Sequence, residues 1–318
     1  MGEKDITEKT LEDYNDVFAD IMNVLLFDGK QLVKEGELSS TRTKSQLKIN
    51  GTIHEQERDN VKIWQQNHIR IAMIGFENQT DVDKYEPARV LSYDGSSYKE
   101  QLVEIDSCRK KKKAVPPLVP VVTLVIHFGK DNWRNHTLYD CISIPDCLKK
   151  YVSDYKINVV NIRDLSREQV DDFKSDFHII ADYFYKISRG QEYIPDNRQM
   201  DHQDAVLKLM TALTGDNRFE ETSRLLSASG KENTTMCETL DIIEARGEAR
   251  GEARGEARGE ARGRAEGKAE GIQIFIEDKI EDNIPDDRII EKLKAKYNMT
   301  ESQAKSSIQE CRDAMKAN

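Results

Sequence analysis

Polar and apolar positions alternate most clearly between Arg58 and Gln79, RDNVKIWQQNHIRIAMIGFENQ. A short apolar run is followed by a polar group, Gln65 to His68, and then by a longer apolar run that ends on Glu77-Asn78-Gln79. Two such runs joined by a short polar link predict a β-hairpin. Strand side chains repeat every two residues, so Asp59, Val61 and Ile63 share one face of the first strand, and Asn60, Lys62 and Trp64 the other. In the second strand Ile69, Ile71, Met73, Gly75, Glu77 and Gln79 share a face. Upstream, Leu11, Tyr14, Val17, Phe18, Ile21, Val24 and Leu25 recur at helical spacing. They predict a helix over 7–27, capped by Thr7 and ended by the turn signal Asp28-Gly29. Asp13, Asp16, Asp20 and Asn23 fall on another face, which reads as solvated.

Further along, Gln31 to Val33 suits a short strand and Asn50-Gly51 a loop. Pro87 suits the first turn of a helix that runs to about Asp106, bent near Asp94-Gly95. Pro116, Pro117 and Pro120 exclude regular structure. Val121 to Phe128 is apolar throughout, the pattern of a buried central strand, with His127 an edge or partly buried residue rather than a ligand. Helical turns follow over 138–151, then a strand over 157–162. One helix is predicted over 167–188 on the stripe Val170, Phe173, Phe177, Ile180 and Phe184. This order predicts an α/β fold, a mixed central sheet flanked by helices. Residues 201–226 read as a helical extension and 228–235 as a hinge.

Residues 244–271 are a tetrapeptide array, five copies of EARG followed by RAEG and KAEG. Ala, Glu and Arg favour helix, but a Gly at every fourth position costs about 1 kcal/mol relative to Ala. The period sets Glu on Glu and Arg on Arg at i,i+4, a mild repulsion. The array is expected to be a marginal helical spacer, either an inert linker or one steadied by self-association through its Gly/Ala surface. The tail over 272–318 reads as helices, the last one begun by Thr300 with Ala304, Ile308, Cys311 and Met315 as its stripe. The expected division is therefore a main domain over 1–190, a helical extension and hinge over 191–243, the spacer over 244–271 and a helical tail over 272–318.

Composition narrows the classes. The formal net charge of −10 gives little long-range attraction to nucleic acid, so any DNA contact needs a local basic patch. Arg109 to Lys113 is such a patch, or else a solvated loop. Five cysteines without a Cys-x-x-Cys pair fit free thiols in a reducing compartment. No apolar run approaches the ~20 residues needed to cross a bilayer, and the first ten residues hold no signal-peptide core. A soluble cytoplasmic protein without membrane contact is expected.

The hairpin carries the candidate chemistry. If neighbouring-strand spacing brings Asp59 beside Glu77, two carboxylates converge, and they repel unless a shared proton or a divalent metal neutralises them. Oxygen-only ligands suit a hard cation such as Mg2+ or Mn2+. The alternative is plain: strand ends are commonly polar. Arg89 and Tyr93, four apart, share a helix face, where Arg89 either binds phosphate or forms a structural ion pair.

A carboxylate at the head of one strand, then Glu-x-Gln at the end of the next, resembles the PD-(D/E)XK nuclease superfamily. More narrowly, the chain resembles the Rpn family of recombination-promoting nucleases, which are also described as transposases. YEPARVLSYDGSSY over 85–98 is similar to that family's Pro-x-Arg-x-x-x-Tyr helix start, and VPVVTLVIHFG over 119–129 to its Pro-Val strand ending in Gly. The resemblance covers roughly residues 5 to 190. It implies a restriction-endonuclease-like core, a DNA substrate and a Mg2+ (or Mn2+) ion held by Asp59 and Glu77. It makes Asp59, Glu77 and Gln79 the catalytic set and Arg89 and Tyr93 substrate contacts. It also allows a further carboxylate from the first helix, Asp16 or Asp20. Gln79 stands where the wider superfamily usually has Lys. The implied role is RecA-independent recombination or mobile-element biology. The alternative is a weak or inactive nuclease fold that binds DNA or protein, with homo-oligomers formed through the repeat and tail.

Overall fold

A sheet with apolar side chains on both faces needs cover on both, and this chain supplies helices for each. The structure is a computed structural model that describes residues 11–41, 44–49, 52–57, 60–67, 69–231 and 233–317. In chain order, α1 (Asn15–Leu25) precedes β1 (Leu38–Ser40), β2 (Lys44–Ile49), β3 (Thr52–Glu57), β4 (Asn60–Gln66) and β5 (Ile69–Gln79). Then come α2 (Glu86–Lys110), β6 (Val121–His127), a short α3 (Leu138–Cys141), β7 (Asn158–Asn161), α4 (Arg167–Asp172) and α5 (Phe177–Ser188). The remainder is helical: α6 (Gln203–Thr214), α7 (Arg218–Ser229), α8 (Met236–Glu281), α9 (Asp286–Tyr297) and α10 (Glu301–Ala317).

The main sheet has the order β1-β4-β5-β6-β7. Its first three strands are antiparallel neighbours, whereas β5, β6 and β7 run parallel. Parallel neighbours need a crossover, and α2 supplies it between β5 and β6. β2 and β3 pair separately as a two-stranded sheet. The chain is thus an α/β protein with a mixed five-stranded sheet and a long C-terminal helical region.

The two faces divide as period two requires. Ala72, Ile74, Phe76, Leu124, Ile126 and Phe128 join α1 and α5 in the principal core. Phe18 stacks on Phe76 with centroids 4.1 Å apart. Asn60 and Lys62 share that face: Asn60 Nδ2 donates to Asp13 Oδ1 at 2.7 Å, and Lys62 Nζ to Asp13 O at 2.5 Å and Asn15 Oδ1 at 2.6 Å. Lys62 is completely buried, and burial pushes its pKa below the usual lysine value, with Asp13 and Asp16 opposing. On the other face Val61, Met73, Val119 and Val121 pack with Tyr98 of α2, and Val125 packs with Val90, Trp133 and Ile157.

Several sequence expectations need correction. Thr7 lies outside the described residues, and α1 takes Tyr14 as its N-cap without a side-chain cap bond. Asn23 and Asp20 are buried, not solvated. Asn23 Oδ1 accepts the N–H groups of Leu32 and Val33, at 3.0 and 2.9 Å, and its Nδ2 donates to Val33 O at 2.9 Å. Those bonds tie Gln31 to Val33 to α1, so the first strand forms later, at Leu38–Ser40. Asp20 Oδ2 likewise accepts from the backbone of Lys174 and Ser175, at 2.8 and 2.7 Å, and from Ser175 Oγ at 2.7 Å. A carboxylate that satisfies those amides competes with helical bonding there, and the helix expected over 167–188 is split into α4 and α5. All five residues of its stripe are nonetheless buried.

The chain forms two compact units, Met1–Ile243 and Glu244–Asn318. In the first, Ala205, Val206, Leu207, Met210, Phe219, Leu226 and Met236 belong to the same core as the sheet. In the second, Ile276, Ile289, Ile290, Leu293, Ala304, Ile308 and Cys311 form a small core of their own. The array lies within α8 with its side chains exposed, except for the partly buried Arg246. Arg264 pairs with Glu260, and Arg262 with Glu266 at 3.7 Å, both where the EARG order changes to RAEG.

Candidate functional site

Glu77 and Gln79 stand at the C-terminal end of β5, one pleat apart and on the α2 side of the sheet. Glu77 pairs in register with Val125, and Gln79 with His127. Phe128 N donates to Gln79 O at 2.9 Å, which holds the two strand exits together. Gly129 makes this approach possible, because a Cβ there would strike Thr80 O and the His127 ring. Glu77 and Asn78 are buried, and Gln79 is partly exposed.

Above them lies a layer that is polar where packing alone would favour apolar groups. The inner stripe of α2 is Glu86, Val90, Asp94, Ser97, Gln101 and Ile105, all buried. Asp94 Oδ1 accepts from Thr123 Oγ1 at 2.6 Å, and its Oδ2 accepts from the Tyr155 hydroxyl. Gln101 exchanges bonds with the Val119 backbone, donating at 3.2 Å and accepting at 2.9 Å, and Tyr98 Oη accepts from Val121 N at 3.1 Å. A buried polar group is tolerable only when it is bonded, and Asp94 and Gln101 meet that condition through Thr123, Tyr155 and the Val119 backbone.

His127 is fully buried at 1% exposure, where the sequence suggested an edge or partly buried position. Its Nε2 lies 2.9 Å from Asp131 O, and its ring meets Trp133 edge-on at 5.2 Å. The loop after β6 folds back over the ring, and this loop is what buries it. Lys130 and Arg134 on the same loop are exposed and form no ion pair with the described residues.

The other expected site residues are placed as follows. Asp59 lies outside the described residues. Arg89 is held by two carboxylates at the start of α2, Glu86 Oε2 at 3.0 Å and Asp83. Tyr93, one turn on, is partly buried. Asp16 is on α1, the helix that covers the opposite face from Glu77, and its carboxylate takes His202 Nε2 at 2.9 and 3.0 Å. His202 in turn stacks on Tyr14 with centroids 3.7 Å apart. A cleft of about 410 Å³ opens along α1, lined by Asp16, Asp20, Lys34 and Lys174 among others. The basic run Arg109 to Lys113 is at the far end of α2, roughly 36 Å along the helix axis from Glu86 at 1.5 Å per residue.

Among the described residues no three His, Cys, Asp or Glu side chains gather as a metal-binding group. Of the two expected ligands only Glu77 is described, and the donors beside it, the Asn78 and Gln79 carbonyls included, are oxygens of the kind a hard cation takes. The sequence signals for the missed residues are slight. Asp94, Ser97 and Gln101 stand at helical spacing with Val90 and Ile105, and only that spacing marks them as inward-facing.

Comparison with known proteins adds no relative: no family model, no curated protein and no solved structure matches this chain.

Proposed function

We propose that this chain is a metal-dependent DNA endonuclease with a restriction-endonuclease-like core, of the Rpn kind that its motifs resemble. One observation carries the reading: Glu77 and Gln79 project from the same face at the end of β5 into a buried polar layer beneath α2. The strand order supports it, since a hairpin precedes the crossover helix and parallel strands follow, as such a core requires. In this reading Asp59 and Glu77 hold Mg2+ or Mn2+, with help from the Asn78 carbonyl. Such an ion polarises a phosphoryl oxygen and lowers the pKa of a bound water. The chain's own groups do the rest. Glu77 fixes charge at the site, and Gln79 orients the attacking water through a hydrogen bond without contributing charge. Lys130 and Arg134, exposed on the loop that follows β6, would be the cations that meet phosphate in this reading. RecA-independent recombination or mobile-element movement is the role this activity would serve.

Plasmid nicking tests the reading. The parent should nick with Mg2+ or Mn2+ and stop with chelator. Asp59→Asn and Glu77→Gln should each lose about a hundredfold or more in rate, the scale of a preorganised charge at a transition state. Nicking by both variants at the parental rate would end the catalytic assignment. The second reading, a nuclease fold kept for DNA or protein binding and assembly, draws on the uncharged Gln79. It expects metal-independent DNA binding, or none, and no cleavage by the parent.

A further inference from the structure

We infer that His127 is a positioning residue that fixes the amide of Gln79, an inference that rests on the nuclease reading above. The two residues are register partners on adjacent parallel strands, so their side chains stand side by side on one face. The imidazole is pinned. Trp133 meets its ring edge-on, and Gly129 closes over its Cε1 and Nε2 atoms. Nε2 faces the Asp131 carbonyl at 2.9 Å, and a carbonyl oxygen can only accept. In the neutral ring the proton therefore resides on Nε2, and Nδ1 presents a lone pair. That Nδ1 is buried and has no hydrogen-bond partner among the described residues.

Two carboxamides flank His127 in register, that of Asn161 on β7 and that of Gln79 on β5; Asn161 Nδ2 already donates to Asp164 Oδ2 at 3.0 Å, which favours the carboxamide of Gln79. Its NH2 can donate to Nδ1, which turns its Oε1 away from the ring and toward the position of the water. An amide oxygen accepts a water proton and leaves the water's lone pairs free for attack. A flipped amide would donate to those lone pairs and hold the water by the wrong end. At a position lacking a cation, which end of the amide meets the water decides whether Gln79 helps or hinders.

Two substitutions separate this role from a structural one. His127→Asn keeps an acceptor near the place of Nδ1 but cannot reach the Asp131 carbonyl. His127→Gln can reach that carbonyl with its NH2 but leaves no acceptor beside Gln79. Positioning predicts that His127→Gln lowers kcat for Mg2+-dependent nicking about tenfold or more with KM held, and that His127→Asn stays within about threefold. The His127→Gln loss should vanish in a Gln79→Ala background. A second readout does not need turnover. With Ca2+ and a short DNA duplex, nitrogen NMR should show a coupling between the Gln79 side-chain N–H and His127 Nδ1. The inference is overturned if both variants lose activity in step with their melting temperatures, if the His127→Gln loss persists without Gln79, or if the coupling is absent. Failure of the nuclease reading is distinguishable: Glu77→Gln would then nick like the parent, whereas a dead Glu77→Gln beside an unimpaired His127→Gln would sink this inference alone.

Discussion

At the scale of single residues, the sharpest consequence of burial concerns His178 on α5. It is 3% exposed, and neither ring nitrogen has a hydrogen-bond partner among the described residues. Burial pushes its pKa below 6.5, and Arg198 adds to the effect, while Asp196 at 3.7 Å opposes it. The unfolded chain thus binds a proton more readily than the folded one. The sign follows: the contribution is full above pH 6.5 and is lost as pH falls below it, at up to about 1.4 kcal/mol per pH unit. Urea unfolding between pH 7.5 and 5 should show this slope in the parent and a shallower one in His178→Phe. Equal slopes would mean that the ring gains a partner on protonation. Single residues are also where the sequence was least legible. Asp20 and Asn23 have the spacing of a solvated face, yet each bonds backbone amides brought to it by a distant loop or by the returning chain. A pattern of polar letters records where side chains sit around a helix, not which amides will need them. His127 was misplaced for a related reason: a His at the end of an apolar run looks like a strand leaving the core, and only the loop folding back buries it.

At the scale of elements, alternation was enough to place Val61 and Ile63 opposite Asn60, Lys62 and Trp64, and to put Glu77 and Gln79 together. β6 was legible from apolar density, because a strand covered on both faces has no polar side to confuse the reading. β1 was not, since the bonds from Asn23 decide where the extended segment can join the sheet. The array within α8 invites a test at this scale. A Cβ added at any of its glycines, from Gly247 to Gly271, would meet nothing within 4 Å. Alanine therefore fits each position, and the intrinsic gain is about 1 kcal/mol per replacement. A peptide covering 244–271 with these glycines changed to alanine should be strongly helical by circular dichroism as a dilute monomer, and the parental peptide weakly so. Equal helicity of the two would show that glycine does not limit this helix.

At the scale of the whole molecule, charge sets the problem. On the nuclease reading, a chain with a net charge of −10 would have to meet a polyanion through a local surface. The longest basic run sits at the end of α2 remote from Glu77, so it does not serve the strand ends directly. Lys130 and Arg134 are exposed on the loop that follows β6. Replacing both by Gln should weaken DNA binding at every sequence alike. It should flatten the slope of log affinity against log salt by roughly 1.8, about 0.9 for each phosphate left without its cation. An unchanged slope would place the DNA elsewhere. Among the described residues no helix is long and apolar enough to cross a membrane.

The order of charges in the array has a consequence for how the tract can change. Uniform EARG copies place no opposite charges three or four residues apart, whereas the reversal at Arg264 creates two such pairs, Glu260 with Arg264 and Arg262 with Glu266. Gain or loss of a uniform copy therefore leaves the cross-turn attractions as they were, and the tract can lengthen or shorten by duplication with only the glycine penalty and a mild like-charge repulsion to register the event. The reversed copies are the stretch in which such drift would be felt.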